Sequence, residues 1–195
     1  MVERTWCVPP LLELDDIVNT EHDFPRILPG DIGFDAGVGF SGLLIRLGTK
    51  SAYGHCWIYH EIVGYDQDDN EIWLTVEAGP KAGLVQRFRK RRPNKVVRIW
   101  RDQWEQADIV KASQALVGAK YGWGEIVRIV ARILGIKIRR WTDNPSRVIC
   151  SNHVAQAALA GRPDLGFYLR YEPFEIWPGE LAMTLDAYIW DTEVA

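Results

Sequence analysis

The sequence predicts an α+β domain in which an antiparallel sheet packs against helices. Strand patterns dominate the first half of the chain and helical patterns begin at Asp102, and strands followed by helices are typical of this class. Short polar turns between successive strands favour antiparallel hairpins. A length of 195 residues, 47% of them hydrophobic, suits a single domain over residues 1–195 with a substantial core.

The first half of the chain is predicted to hold an arm, a helix and five strands. Residues 1–29 contain PP, FP and LPG, so we expect an arm that lies over the domain. Helical spacing in GFSGLLIRLGT predicts a helix that Ser41 caps and Gly48 ends. Strands are predicted at GDIGFDAG, HCWIYHEIVGY, EIWLTVEAG, GLVQRFRK and KVVRIWR, with turns at DQDDN and RRPN.

The second half is predicted to be helical, with an irregular C-terminal extension. One helix runs up to Gly118, a second covers EIVRIVARILGI, and a third, SNHVAQAALAG, is closed by Gly161. Residues 162–195 contain RPDLG and WPGEL, which predict an irregular segment with short elements.

Composition and charge argue against several classes of protein. The net charge of −3 disfavours a nucleic-acid binder. The three cysteines are too few and too scattered for a disulfide framework, and no CxxC pair suggests structural zinc. No apolar run is long enough for a bilayer, and the N-terminus lacks the pattern of a secretory signal. We therefore expect synthesis in the cytoplasm without a signal peptide, and leave open whether the protein is exported by another route or carried in a virion.

A lone cysteine, Cys150, stands where the extended pattern RVI turns into the helical pattern SNHVAQAALA. The free N–H groups and the dipole at a helix start favour a thiolate, and the same N–H groups can receive an oxyanion in acyl transfer. The alternative is a buried cysteine that packs as a small hydrophobe. Cys150 is therefore a candidate nucleophile.

A histidine near the start of a strand is the candidate base. His55 follows Gly54, where a rigid element would fix the direction of its side chain, as a general base requires. An ordinary half-buried histidine is the alternative. His60 has the opposite strand parity, and His153 lies three residues beyond Cys150, from where it would flank the site.

A general base also needs a partner on its second ring nitrogen. The predicted hairpin brings either Glu77 or Thr75 beside His55, depending on register. Glu77 is the better acceptor because it is anionic, although a solvated carboxylate at a strand end is the alternative interpretation.

Five segments of the chain then carry a resemblance when they are taken in order: GDIGF, LIRLGTKSAYGHCWIYH, VEAGPKAGLVQRF, YGWG and RVICSNHVAQAAL. Together they resemble the NlpC-type papain-like cysteine hydrolases, and more narrowly their circularly permuted branch, which includes the lecithin:retinol acyltransferase-like proteins. In that branch the histidine strand precedes the cysteine helix, as it does here. The resemblance covers roughly residues 29–160 and implies a permuted papain-like fold.

Each family motif has a counterpart in this chain. The counterparts are Gly30-Asp31 for the opening turn, YGHCWIY for the histidine strand, Glu77-Ala78 through Leu84-Val85 for the EA…GV segment, Tyr121 for the tyrosine before the cysteine motif, and Cys150-Ser151 for the helix start. Two departures occur. Gly54 stands where serine is usual, and Asn152-His153 follow where an acidic and an apolar residue are usual.

The resemblance implies a thiol hydrolase with Cys150 as nucleophile, His55 as base and Glu77 as third member, and it implies no metal and no organic cofactor. Substrate-binding or oxyanion roles are predicted for Ser151, Tyr121 and Tyr53. The implied substrate is a cell-wall peptide, cleaved at an amide bond of peptidoglycan.

Two other functions stay open at this point. A hydrolase or acyltransferase for lipid esters or amides would use the same chemistry at a membrane surface, whereas a structural or wall-binding module, for example in a phage particle, would not use it. Two basic segments have alternative interpretations. Segment 87–95, from Arg87 to Lys95, is predicted to be either a solvated turn or a patch that meets an anionic polymer or a membrane surface. Segment 128–140, from Arg128 to Arg140, is predicted to belong either to a core-packing helix or to an element that contacts an anionic polymer or a membrane. The sequence predicts no oligomeric state.

Overall fold

The structure, a computed structural model, confirms the α+β class. It describes residues 26–37, 39–90, 93–124, 126, 127, 131, 135, 136, 147–169 and 176–194. Within these residues an antiparallel sheet of five strands has the order β4-β3-β2-β1-β5. Its strands are β1 Ile32–Asp35, β2 His55–Tyr65, β3 Glu71–Gly79, β4 Gly83–Arg89 and β5 Lys95–Val97.

The long hairpin of β2 and β3 forms the centre of the sheet. Ile58 lies opposite Val76 and Tyr59 opposite Thr75, and the register shifts after Tyr59, where His60 is the extra residue. Such a bulge bends the strand and re-aims the side chain at that point. One face of the hairpin carries the core, and the other carries a buried aromatic cluster of Trp57, Tyr59 and Trp73.

The hairpin predicted across RRPN is wrong. β5 does not pair with β4 but joins the opposite edge of the sheet, where Ile32 of β1 lies opposite Val97. The basic run therefore connects two edges of the sheet instead of closing a hairpin. Local turn residues predict a reversal of the chain, but they carry no information about which strand edge is free to accept the next strand.

The first two helices confirm the predicted elements and correct their ends. α1 is Gly39–Thr49, so Ser41 lies inside the helix and is not its cap, and the helix continues past Gly48. α2 is Gln103–Ala115, and its cap is Asp102, whose carboxylate accepts from the amides of Trp104 and Glu105 at 2.9 Å each. A capping carboxylate of this kind satisfies N–H groups that have no partner inside the helix.

The cysteine helix, α3, is Cys150–Gly161. Gly161 is not a left-handed cap, because it lies within the helix and Arg162 follows as the C-cap. A Cβ added at Gly161 would lie 2.5 Å from both the Glu105 carbonyl oxygen and Ile109 Cγ1. This glycine is therefore required by the close approach of α2 and α3, and not by chain termination.

The C-terminal segment is more regular than the sequence indicated. A short 3₁₀ helix covers Pro163–Phe167, and α4 extends over Pro178–Val194, with Leu181, Leu185 and Tyr188 buried in the core. Proline at the first position of a helix is preorganised for it, so the WPGEL segment starts a helix instead of ending one. The helix predicted at EIVRIVARILGI falls largely outside the described residues, as do residues 1–25 of the predicted arm.

The core lies between one face of the sheet and α2, α3 and α4. Its buried members include Ile32, Phe34, Ile58, Val76, Leu84, Ile109, Val154, Leu165, Leu181 and Leu185. Among the helices that the structure describes, none combines the length and the apolar character needed to cross a bilayer.

Candidate active site

A cleft opens where the start of β2 meets the start of α3. It encloses about 140 Å³, and its lining includes His55, Glu77, Arg89, Tyr121 and Cys150. A short polar group of a substrate fits in such a space.

Cys150 is placed at the cleft by a strand-to-helix junction. A parallel pair of two-residue strands, β6 Lys120–Tyr121 and β7 Arg147–Val148, brings Tyr121 beside Val148. Ile149 is then extended and caps α3 without a side-chain hydrogen bond. The first turn of α3 is therefore free of a competing side-chain cap at the point where Cys150 faces the cleft.

Cys150 and His55 both line the cleft, and their side chains interact. Hydrogen bonding from the Cys56 thiol, together with the hydrogen bond and charge of His55, holds the pKa of Cys150 well below its ordinary value, although burial opposes this shift. Burial by itself would lower the pKa of His55, but hydrogen bonding and charge interaction with Cys150 and Glu77 outweigh it and raise that pKa to about 9. The two groups thus favour a thiolate–imidazolium pair.

Glu77 holds the second nitrogen of His55. The Nε2 atom of His55 lies 2.7 Å from Oε2 of Glu77. A carboxylate only accepts, so this nitrogen is the donor and the ring directs Nδ1 to the sulfur. Burial alone would raise the pKa of Glu77, but the hydrogen bonds from His55 and Arg89 lower it to about 2. The contact expected from the hairpin is present, and Glu77 rather than Thr75 makes it.

Arg89 is a site residue that sequence reasoning missed. Its Nε and Nη2 donate to the two carboxylate oxygens of Glu77 at 3.2 and 2.9 Å, and its Nη1 donates to Asp35 at 3.2 Å. The guanidinium also lies 3.6 Å from the centre of the Trp57 ring. Arg89 thus fixes both oxygens of Glu77, including the one that His55 contacts. The side chains of Arg89 on β4 and Glu77 on β3 lie on the same face of the sheet. The basic run around Arg89 predicts a solvated turn, which gives no sign of this contact.

Cys56 is the second missed residue. Strand parity places its side chain on the face opposite to that of His55. That face is covered by α3, and Cys56 lies in the same buried cluster as Cys150 and interacts with it. Burial, followed by the interaction with Cys150, raises the pKa of Cys56 well above its ordinary value. Cys56 therefore stays a neutral thiol that donates to the Cys150 thiolate.

The three residues predicted to bind substrate or oxyanion have different surroundings. Tyr121 lines the cleft, and burial raises the pKa of its hydroxyl. Ser151 is fully buried and its hydroxyl donates to the Ile176 carbonyl at 2.6 Å, so this hydroxyl is engaged inside the protein. Tyr53 is not among the lining residues; its ring packs against Phe34 with 5.6 Å between the ring centres.

The other two histidine candidates form a separate cluster. His60 Nε2 lies 3.1 Å, and His153 Nε2 2.9 Å, from the hydroxyl of Ser113, and Gln114 donates to His60 Nδ1 at 3.1 Å. Burial lowers the pKa of His60 to about 4 and that of His153 to about 3. Both are therefore neutral at pH 7, and neither is the partner of Cys150.

Gly54 stands where the resemblance leads one to expect serine. A Cβ at this position would clash with the Ala36 carbonyl oxygen and lie 2.8 Å from the Gly42 carbonyl oxygen. The loop before α1 therefore passes close over the start of β2, and only glycine leaves room for it. The departure from serine is explained by local packing beside the cleft.

No protein-family model matches this chain, and no curated protein matches it either. Across the part of the chain that the structure describes, no three His, Cys, Asp or Glu side chains converge as a metal centre would require.

Proposed function

We propose that this protein is a cysteine hydrolase of permuted papain-like fold that cleaves amide bonds in peptidoglycan peptides. The observation that carries the proposal is the convergence of Cys150, His55 and Glu77 in one cleft, with His55 held by Glu77 at 2.7 Å. The chain order of a histidine strand before a cysteine helix supports the permuted fold.

Catalysis would start from the thiolate–imidazolium pair. The Cys150 sulfur attacks the carbonyl carbon of the amide, and His55 gives its Nδ1 proton to the leaving amine as the C–N bond breaks. Water then attacks the thioester while His55 takes a proton from the water. The C–S bond breaks, which releases the carboxylic acid and restores the thiolate–imidazolium pair. Glu77 stays ionised throughout and holds the imidazole in one orientation.

Backbone N–H groups at the start of α3 are suited to stabilise the oxyanion. Ile149 offers no side-chain cap, so the amides of the first turn are not taken by such a group. N–H groups at a helix start favour negative charge. Ser151 would contribute through its backbone, since its hydroxyl is held by Ile176.

The lining of the cleft supports a polar amide over a lipid chain. Asp35, Glu77, Arg87 and Arg89 contribute charged groups, and Gly37, Gly42, Gly54 and Gly79 contribute bare backbone. Bare backbone lets an extended peptide approach closely, whereas an acyl chain needs a continuous apolar wall. The choice of peptidoglycan within the class of amides rests on the family resemblance.

The test is turnover together with thiol reactivity. Purified protein is incubated with soluble cell-wall fragments, and new amino groups are identified by mass spectrometry; Cys150→Ala is the control and should release none. In parallel, iodoacetamide at pH 6 should label Cys150 in preference to Cys56, whose pKa is raised. Equal labelling of both cysteines would contradict the proposal and favour a non-enzymatic module. Selective labelling without release of amines from any wall fragment would contradict the choice of substrate alone.

A further inference from the structure

Two thiols are buried where β2 packs against α3, although the proposed hydrolysis uses only one of them. Cys150 opens to the cleft, while Cys56 is fully buried behind it on β2. Both belong to one buried cluster, and the interaction between them raises the pKa of Cys56 and lowers that of Cys150. Both are free thiols.

Their environments differ in the way that peroxide chemistry requires. The reactive form in thiol oxidation is the thiolate, and exposure decides which thiolate is reached. Cys150 faces the cleft as part of the pair with His55, so a small hydroperoxide can reach it. Cys56 has no exposed surface, so it can react with the oxidised form of Cys150 but not directly with the peroxide.

We infer that Cys56 is a resolving cysteine, which protects an oxidised Cys150 by forming a disulfide with it. In the first step the Cys150 thiolate attacks the terminal oxygen of a hydroperoxide, the O–O bond breaks, and the leaving alkoxide or hydroxide takes a proton. Sulfur is oxidised to sulfenic acid and the peroxide is reduced to an alcohol or water.

In the second step the Cys56 sulfur attacks the sulfenic sulfur of Cys150. The S–O bond breaks, and the leaving hydroxide takes the Cys56 proton and departs as water. Without this step a second peroxide would convert the sulfenic acid to sulfinic acid, which thiol reductants do not reverse. The disulfide is returned to two thiols by an external dithiol.

The surroundings of the two sulfurs favour this outcome over further oxidation. Cys56 and Cys150 belong to one buried cluster, in which β2 packs against α3. Cys56 lies on the central strand of the sheet, and Cys150 lies at the first residue of a buried helix, so both backbones are held in place. The inference does not depend on the hydrolase activity, because it concerns the two thiols alone.

Peptide mass spectrometry after hydrogen peroxide treatment tests the inference directly. In the wild-type protein we expect a Cys56–Cys150 linked peptide that lacks two hydrogens, and the loss of both iodoacetamide-reactive thiols together. Dithiothreitol should restore both. In Cys56→Ser, which keeps a hydroxyl donor beside Cys150, we expect sulfinic and sulfonic acid at Cys150 and no recovery with dithiothreitol.

Two controls complete the experiment. Cys7→Ser removes the third cysteine of the chain and should leave the linked peptide unchanged. Cys150→Ser should abolish the linked peptide while Cys56 stays reduced. A wild-type protein whose Cys150 reaches the sulfinic state as fast as in Cys56→Ser would overturn the inference, and so would a disulfide that forms only through Cys7.

Discussion

The two polar clusters beside β2 hold the same side chain in opposite charge states. His55, at the start of the strand, has a pKa raised to about 9 and therefore favours the protonated imidazolium. His60, five residues later, has a pKa lowered to about 4 and is neutral. His55 contacts a carboxylate and a thiol, while His60 contacts a serine hydroxyl and a glutamine amide.

The difference shows that burial alone does not decide the charge of a histidine. Burial lowers the pKa in both clusters, but only His55 has anionic partners that reverse the effect. The first cluster can therefore move protons at neutral pH. The second is a neutral hydrogen-bond chain that joins β2, α2 and α3 through Ser113.

Removing each histidine of β2 in turn should give the largest contrast. His55→Ala should lower both amide hydrolysis and iodoacetamide labelling of Cys150 at pH 6, by about 10²- to 10⁴-fold, because the proton donor and the charge that supports the thiolate are lost. His60→Ala is the matched control and should leave the labelling rate within about two-fold, since its cluster supplies no charge to Cys150. Equal losses in the two variants would break the comparison.

Lowering the pH should reduce the free energy of unfolding, because the two neutral histidines of the second cluster take up protons when the protein unfolds. The pKa values of His60 and His153 are lower in the folded state than the ordinary 6.5, so the unfolded chain binds more protons below pH 6.5. The free energy of unfolding should therefore fall with pH from about 6.5 towards 5, by about 1.4 kcal/mol per pH unit for each histidine.

Urea unfolding at pH 7, 6 and 5 measures this slope. The depressed pKa of Cys150 adds to the slope in the same direction, so the informative quantity is the difference between wild type and His60→Gln. The variant should lose the contribution of one proton. An unchanged slope would mean that His60 does not stay neutral on folding.

Neutralising the Glu77 carboxylate should make His55 behave more like the neutral His60. Glu77→Gln keeps an oxygen acceptor for His55 but removes the charge, so the pKa of His55 should fall from about 9 towards 6.5. We expect the alkaline limit of the hydrolysis profile to move down by one to two pH units, and hydrolysis at pH 8 to fall by about two-fold for a shift of one unit and about ten-fold for a shift of two. An alkaline limit that stays near 9 would show that Cys150 alone sets this pKa.

The smallest chemical effect is expected at the centre of the neutral cluster. Ser113→Ala leaves both His60 and His153 without their shared hydroxyl, which should cost about 1–3 kcal/mol of unfolding free energy. The labelling rate of Cys150 should not change. Ser151→Ala is a matched control, because this equally buried hydroxyl donates to the Ile176 carbonyl. A loss of labelling in Ser113→Ala would show that the neutral cluster affects the reactivity of Cys150.

Several parts of the fold and the site could be predicted because they depend on neighbours in sequence. Alternation and turn residues predict the β2–β3 hairpin, and that hairpin brings Glu77 to His55. The change from RVI to a helical pattern predicts a helix that begins at Cys150. These interactions act over a few residues or across one turn, so the local pattern contains them.

Other parts depend on contacts between distant segments. Arg89 acts on Asp35 across 54 positions of the chain, and β5 passes to the far edge of the sheet, next to β1. A basic run gives no sign of either, since the same letters suit a solvated turn. Gly161 likewise ends no helix; it is required where α2 and α3 cross.

The sequence by itself therefore determined the α+β class, the hairpin whose strands carry His55 and Glu77, and the placement of Cys150 at a helix start. Tertiary structure alone decided that Cys56 lies against Cys150, that Arg89 holds Glu77, and which histidine carries charge. The reason is that a pKa and a hydrogen bond depend on distances and burial in space. Those quantities are set when segments far apart in the chain pack together, and no local pattern of residues contains them.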